Sequence, residues 1–277
     1  MSESDTPVID KNEFDSIIAL ITFQTGIVPR ESHKTGIMNF IEKRVKEIDL
    51  GGLPYHAYLR LNKEEFDVLV NAATVNETYF FREEAQFCLL KEKLFPAIRA
   101  KLATAPMRIW SAAASSGEEI YSLYLLAQSL GIKTECIATD INTDVLEKCR
   151  RGEYAPNTTK KIDGAKFNYL LAPFQKVDKS VAFPPELCNK IERIQLNLCS
   201  EDQKFPEKVN VIFMRNVFIY FTMEMRRKIL EKIVNESLCE GGYLFVSMSE
   251  IASIDPKIIP KNLEKCSDGK VFYFCKK

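Results

Sequence analysis

Net charge is missing from this chain: 38 Lys plus Arg stand against 38 Asp plus Glu, so the formal charge at pH 7 is zero. No global field favours nucleic acid or an anionic membrane, and any charge recognition has to be local. Histidine is scarce, with only His33 and His56 among 277 residues. The eight cysteines, at 88, 136, 149, 188, 199, 239, 266 and 275, contain no C-x-x-C pair. Reduced thiols packed as small hydrophobes are therefore expected, and a metal site is not. The opening MSESDTPVIDKNE lacks a basic-then-apolar signal pattern, and charges interrupt every stretch that would need about 20 apolar residues to span a membrane. These absences predict a soluble cytoplasmic protein with no membrane insertion and no nucleic-acid partner. Without a coiled-coil seam, a monomer is the expectation.

The glycine fingerprint G-x-G-x-x-G is also missing where it would matter most. Met107 to Glu119 reads MRIWSAAASSGEE, in which β-favouring residues run into small ones and then into Ile120, Leu123, Ala127 and Leu130 at helical spacing. A strand, a tight turn and a helix are predicted. Such a turn lets the backbone approach a nucleotide-like ligand at a helix N-terminus. Here Ala112, Ala113 and Ala114 replace glycines, and Glu118 and Glu119 open the helix. The acids suit the helix dipole and repel phosphate. A nucleoside carrying amino and sulfonium groups fits this charge pattern better than a dinucleotide.

The 46% hydrophobic fraction is ordinary for a globular protein, and the length allows one large domain or two unequal ones. Residues 1–12 are polar and expected to be flexible. Phe14, Ile17, Ile18 and Ile21, then Ile37, Phe40, Ile41, Val45 and Ile48, repeat with helical period. Residues 13–75 are thus expected to form a small all-helical domain, and 76–106 a linker and connecting helix. On the second helix Lys43, Arg44 and Lys46 are a candidate docking surface for an acidic partner, although Glu42, Glu47 and Asp49 make a plain solvated face the competing reading. In the linker, Arg82 follows the aromatic triplet Tyr79, Phe80 and Phe81, a setting in which a guanidinium can be aimed at a ligand or simply pair locally.

Residues 107–277 read as an α/β sheet domain. A second strand ends at Asp140, where doubly wound folds hold ribose hydroxyls, unless Asp140 only caps the next helix. A helix is expected near Ile162 to Leu171, then a small antiparallel β insertion, the whole spanning about 165–193. Further strands are read at 191–198, 209–214 and 243–247, with a helix over 222–238. The closing VFYFCKK is a strand reached by a non-helical connection, which predicts antiparallel insertion and a seven-stranded mixed sheet.

Six stretches, in order, resemble the chemotaxis receptor methyltransferases, the CheR family: NETYFFRE (76–83), WSAAASSGEEIYSL (110–123), ATDINTDVLEKCRRGEY (138–154), LNL (196–198), FMRNVFIYF (213–221) and GGYLFVSMSE (241–250). The resemblance implies a class I, Rossmann-like methyltransferase domain that uses S-adenosylmethionine, releases S-adenosylhomocysteine and methylates chemoreceptor glutamates. It places cofactor contacts on Asn76, Thr78, Arg82, Ala113, Glu118 or Glu119, Asp140, Asn197, Leu198, Arg215 and Asn216. The catalytic pair falls on Arg82 and Tyr220, the latter with a competing role as a core aromatic. The implied partner is the cytoplasmic helical domain of a chemoreceptor, with recruitment to receptor arrays.

Some family members hold a tethering peptide of the receptor through a glycine-bearing loop of the β-subdomain, whereas residues 170–192 here contain no glycine. A tether-independent enzyme is expected. Other readings are a methyltransferase of another substrate, a non-catalytic module binding S-adenosylmethionine or receptors, and, least consistent with the turn, an NAD-dependent oxidoreductase.

Overall fold

A computed structural model describes residues 9–160 and 162–277. The chain divides into two compact units, one of residues 1–75 with 220–222, the other of 76–219 with 223–277.

The first unit contains α1 (Lys11–Thr25), α2 (Glu31–Glu47), α3 (Tyr55–Leu61) and α4 (Lys63–Ala73). Most of the stretch expected to be flexible, residues 1–8, lies outside the described residues. Ile9 is buried, and Asp10 caps α1 by accepting from the Glu13 N–H. The apolar periodicity does what it should: Ile17, Ile21, Ile37 and Ile41 are buried with Tyr55, Leu59 and Leu69 in one core. Each fully buried aliphatic side chain stabilises by about 1.5–3 kcal/mol. Arg44 turns inward to bond both Glu65 oxygens, at 2.9 and 2.8 Å, and Tyr55 donates to the same carboxylate at 2.7 Å. Burial pushes Glu65 upward, but bonds from Arg44 and Tyr55 outweigh it and the carboxyl sits below its ordinary value.

In the second unit, α5 (Glu84–Leu89), a π turn at 90–94 and α6 (Phe95–Leu102) precede the sheet. Residues 76–106 thus belong to the sheet's own compact unit. Then follow β1 (Met107–Ala112), α7 (Glu118–Ser129), β2 (Thr134–Asp140), α8 (Thr143–Arg151), β3 (Glu153–Tyr154), β4 (Val181–Ala182), α9 (Pro185–Cys188), β5 (Ile191–Gln195) and β6 (Val209–Phe213). The chain continues through α10 (Met223–Lys232), β7 (Leu238–Phe245), α11 (Met248–Ile251), β8 (Leu263–Asp268) and β9 (Val271–Lys276).

The large sheet has the order β5-β2-β1-β6-β7-β9-β8. Strands β5 to β7 in that row are parallel, and β9 runs antiparallel to both β7 and β8. The expected antiparallel terminal strand and seven-stranded mixed sheet are what the fold contains. Strand order reverses between β1 and β6, and ligands of open α/β sheets bind at the carboxyl ends beside such a switch.

Three details differ from the sequence reading. The helix expected over 162–171 is a 3-10 segment at 165–170. Strand β4 pairs with β3, and residues 174–177 contribute only an isolated bridge from Gln175 to Val181. Prolines 173, 184 and 185 remove donors on either side of β4, which keeps the ladder short. The helix expected to reach 238 ends in a π turn at 233–237, and Gly241-Gly242 lies within β7 at a register shift against β6.

Candidate functional site

The carboxyl ends of β1 and β2 meet around one turn. Trp110 Nε1 donates to Thr139 Oγ1 at 2.9 Å, tying the two strand ends together. After Ala112 the chain turns tightly, with positive φ at Ala113 (65°), Ser115 (51°) and Gly117 (96°). Gly117 is required there twice over. Its φ disfavours a side chain, and a Cβ would lie 2.4 Å from Cys149 Sγ.

The Ser115 N–H donates to Asp140 Oδ2 at 2.8 Å and the Asn142 N–H to Oδ1 at 2.9 Å. Asn142, not Asp140, caps α8 through its side chain. Asp140 is therefore bound to the turn and faces it. Burial raises its carboxyl above the ordinary value, and the amide bonds oppose that shift. Glu118 is only 2% exposed and accepts from Ser116 Oγ at 2.7 Å, and burial raises its carboxyl as well.

Glu119 is the more committed of the two acids. Ser111 Oγ reaches its Oε1 at 2.6 Å and Arg215 Nε its Oε2 at 2.6 Å. Each carboxylate oxygen has a second lone pair, so both acids keep capacity for a ligand. Arg215, from the loop after β6, is buried and serves several groups at once. Its Nη1 donates to the Arg82 carbonyl at 2.6 Å and to Gln86 Oε1 at 3.2 Å, and lies 3.5 Å from Glu83. Its guanidinium also sits over the rings of Phe213 and Phe87, 5.1 and 5.8 Å from the centroids. Glu83 accepts the Met248 N–H at 3.0 and 3.2 Å, and burial raises its carboxyl against the pull of Arg215.

Arg82 lies between two residues in the left-handed region, Phe81 at φ 54° and Glu83 at φ 60°. Its guanidinium rests over the Tyr79 ring, 5.5 Å from the centroid, and donates to the Glu77 carbonyl at 3.0 Å. Phe80 and Phe81 are fully buried, so the aromatic triplet anchors the segment in the sheet unit. Asn76 reaches the turn by accepting Ser115 Oγ on its carbonyl at 3.0 Å, and Thr78 is partly buried on the same segment.

The remaining candidates are more scattered. Asn197 Oδ1 accepts the Cys199 N–H at 2.9 Å beside buried Leu198, just past β5. Asn216, at φ 57°, donates its N–H to buried Glu250 at 2.7 Å. Tyr220 belongs to the helical unit, where its carbonyl accepts from the Val28 N–H at 2.9 Å and Arg30 lies 5.8 Å over its ring. Of the proposed docking cations, Arg44 is withdrawn into its pair with Glu65, because a buried carboxylate needs a partner more than the solvated face needs a charge. Lys43 stays exposed, 3.7 Å from Glu47. Sequence reasoning missed Glu83, Gln86, Asp163 and Glu250. Glu83 and Glu250 lie inside quoted motifs, but nothing in their spacing marks them as anchors.

The turn and the end of β2 thus present three acids, Glu118, Glu119 and Asp140, and the cation bonded to one of them, Arg215, is already paired. This set of acceptors fits the ammonium and sulfonium groups and ribose hydroxyls of S-adenosylmethionine, and it would repel a pyrophosphate. Residues 76–264 match the family described as CheR methyltransferase, SAM binding domain. The chain belongs to the CheR methyltransferase family. A chemotaxis protein methyltransferase of Salmonella typhimurium is 33% identical, over 86% of this chain and 83% of that protein. Chemotaxis protein methyltransferase 2 of Vibrio cholerae is 36% identical, over 72% of this chain and 73% of that protein. Among solved structures, an rRNA methylase from Streptococcus thermophilus is 12% identical with a TM-score of 0.36, over 66% of this chain and 94% of that one. The protein is a CheR-type methyltransferase, and its cofactor is S-adenosylmethionine. Among the described residues no helix is long and apolar enough to cross a membrane.

Proposed function

We propose that the protein is a protein-glutamate O-methyltransferase acting on glutamate side chains in the cytoplasmic helical domain of chemoreceptors. One observation carries this reading: Arg215 joins Glu119 of the acidic turn to the main chain of Arg82, at 2.6 Å on each side. A cation suited to a substrate carboxylate is thereby fixed one residue away from a turn suited to a cationic cofactor.

Bound S-adenosylmethionine supplies an electrophilic methyl group on sulfur. Around it, Asp140 would hold the ribose end, while Glu118 or Glu119 would serve the amino-acid end with Ala113. Asn76, Thr78, Arg82, Asn197, Leu198, Arg215 and Asn216 would complete the contacts. The target glutamate needs no general base, because an unperturbed pKa near 4.3 leaves it ionised at neutral pH. Arg82 holds one of its oxygens and leaves the other free to attack. Too tight an ion pair would blunt the nucleophile, so Arg82 orients more than it neutralises. Alignment and partial desolvation then carry most of the rate enhancement.

The glycine-free insertion supports recognition of the methylation region without a tethering peptide. Its tip places Lys179, at φ 67°, where a glycine would give a more pliant loop. Lys43 and Lys46 on α2 remain as the docking cations.

Labelled methyl from S-adenosylmethionine should appear on a receptor cytoplasmic fragment and be released by base as methanol. Removing the receptor's C-terminal peptide should not change the rate. Arg82→Ala should lower transfer by about a hundredfold. Cofactor binding without label on any receptor fragment would overturn the substrate.

A further inference from the structure

Residues 155–192 are the least regular part of the chain, and nothing in periodicity or spacing singles out Asp163 within them. The fold gives it three donors. Tyr79 Oη donates to Oδ2 at 2.7 Å, the Glu83 N–H to Oδ2 at 2.8 Å and the Glu84 N–H to Oδ1 at 2.8 Å. Burial would raise this carboxyl, but the bonds from Glu84, Tyr79 and Glu83 outweigh it and hold the group below its ordinary value. The acceptor is therefore ionised at neutral pH.

Two of these three donors flank Arg82. The Tyr79 ring is the surface on which the Arg82 guanidinium rests, and the Glu83 peptide is the one that follows Arg82. One carboxylate thus grips Arg82 from its side-chain end and from its main-chain end. The main chain needs such a grip, since non-glycine residues at positive φ persist only where their surroundings over-determine them. Phe81 is fixed on the other side by donating its N–H to Ser122 Oγ at 2.9 Å. Gly164 completes the arrangement. A Cβ there would lie 2.7 Å from the Phe80 carbonyl and 3.0 Å from Phe81 Cβ, so the two segments pack backbone against backbone.

We propose that Asp163, seated by Gly164, is a positioning residue that aims Arg82 at the substrate carboxylate. The inference rests on the orienting role given to Arg82 above. The simpler reading is a cap for α5, whose first N–H groups need acceptors. A cap accounts for the Glu83 and Glu84 bonds, but not for the bond to the ring that carries the guanidinium.

The two readings separate in the full-length protein, with methyl transfer to a receptor fragment, calorimetry of S-adenosylhomocysteine and thermal melting as readouts. Asp163→Asn should lower kcat about tenfold while the cofactor-product affinity stays within about twofold. Tyr79→Phe, which keeps the ring and drops the hydroxyl, should show a smaller loss of the same kind. In an Arg82→Ala background Asp163→Asn should cost nothing further, as coupled residues do. Additive losses, or a fall in affinity and melting temperature that matches the fall in kcat, would overturn the inference in favour of a cap. A disabled Arg82→Ala beside a fully active Asp163→Asn would overturn the inference alone. Full turnover in Arg82→Ala would overturn the role of Arg82 and the inference with it.

Discussion

Arg215 Nη1 donates to the main-chain carbonyl of Arg82 at 2.6 Å, so one arginine's side chain fixes the other's backbone. The same guanidinium neutralises Glu119 in the cofactor turn. Arg215→Met should strand buried carboxylates and destabilise the fold by about 3–5 kcal/mol, with weakened cofactor binding. Arg215→Lys should recover little, because an ammonium cannot reproduce the planar fork that spans both partners. Thermal melts with and without S-adenosylhomocysteine check this. An Arg215→Met variant as stable as the parent would remove the hub from the account.

Gly117→Ala tests the turn itself. Positive φ and the 2.4 Å approach to Cys149 Sγ predict a loss of about 1–3 kcal/mol and weaker cofactor binding. Adding Cys149→Gly should restore part of both by giving the methyl room. No recovery in the double variant would mean the backbone conformation, not the clash, decides.

Acid should weaken cofactor binding earlier than ordinary carboxylates would suggest. Burial raises Glu118 above 4.5 and Asp140 above 3.8, and the ionised forms are the ones that accept from the ammonium and from the ribose hydroxyls. Affinity for S-adenosylmethionine and for S-adenosylhomocysteine should therefore both fall as pH drops through those raised values, since both carry the ammonium and the ribose. The ligand-free fold responds with the opposite sign. Groups whose folded values are raised favour folding below the unfolded values, and that contribution is lost as pH rises through the folded ones. Calorimetry from about pH 8 down through the ordinary carboxylate range reads the first trend and thermal melts read the second. A flat affinity through that fall in pH would show that these acids are not the cofactor's partners.

On α2 the two kinds of cation should separate cleanly. Lys43→Glu with Lys46→Glu should raise the KM for receptor and leave melting temperature and cofactor affinity unchanged. Arg44→Ala should instead destabilise by roughly 2–4 kcal/mol, since it leaves Glu65, 6% exposed, without its bidentate partner. Equal receptor KM in the lysine variant would place docking elsewhere.

Much of this was legible in the sequence because local rules governed it. The helical repeats of Ile17, Ile21, Ile37 and Ile41 were decided by burial, and the turn at Ala113 to Gly117 by its own small residues. The antiparallel end of the sheet followed from a strand where doubly wound folds have a helix. What escaped was set by tertiary partners. Arg44 looked like part of a basic face because Glu65 is distant in sequence, and only the fold brings them together. Asp163 looked like part of a helix over 162–171, and its three donors come from the distant residues 79 to 84. The small antiparallel β insertion was legible as to kind, but proline spacing shows where strands stop and not that β4 pairs with β3.

Phe81 and Glu83 hold left-handed conformations on both sides of Arg82, each opposed by about 1–2 kcal/mol relative to a relaxed backbone. Heat tolerance and turnover therefore compete at this segment. A variant library selected only for survival of heating should collect asparagine or glycine at position 83, where either residue adopts the conformation readily. Neither would reproduce the carboxylate that now holds Met248 and faces Arg215. Selection for methyl transfer should keep Glu83 and accept the less stable protein, leaving a trace of function in the place where the chain is least comfortable.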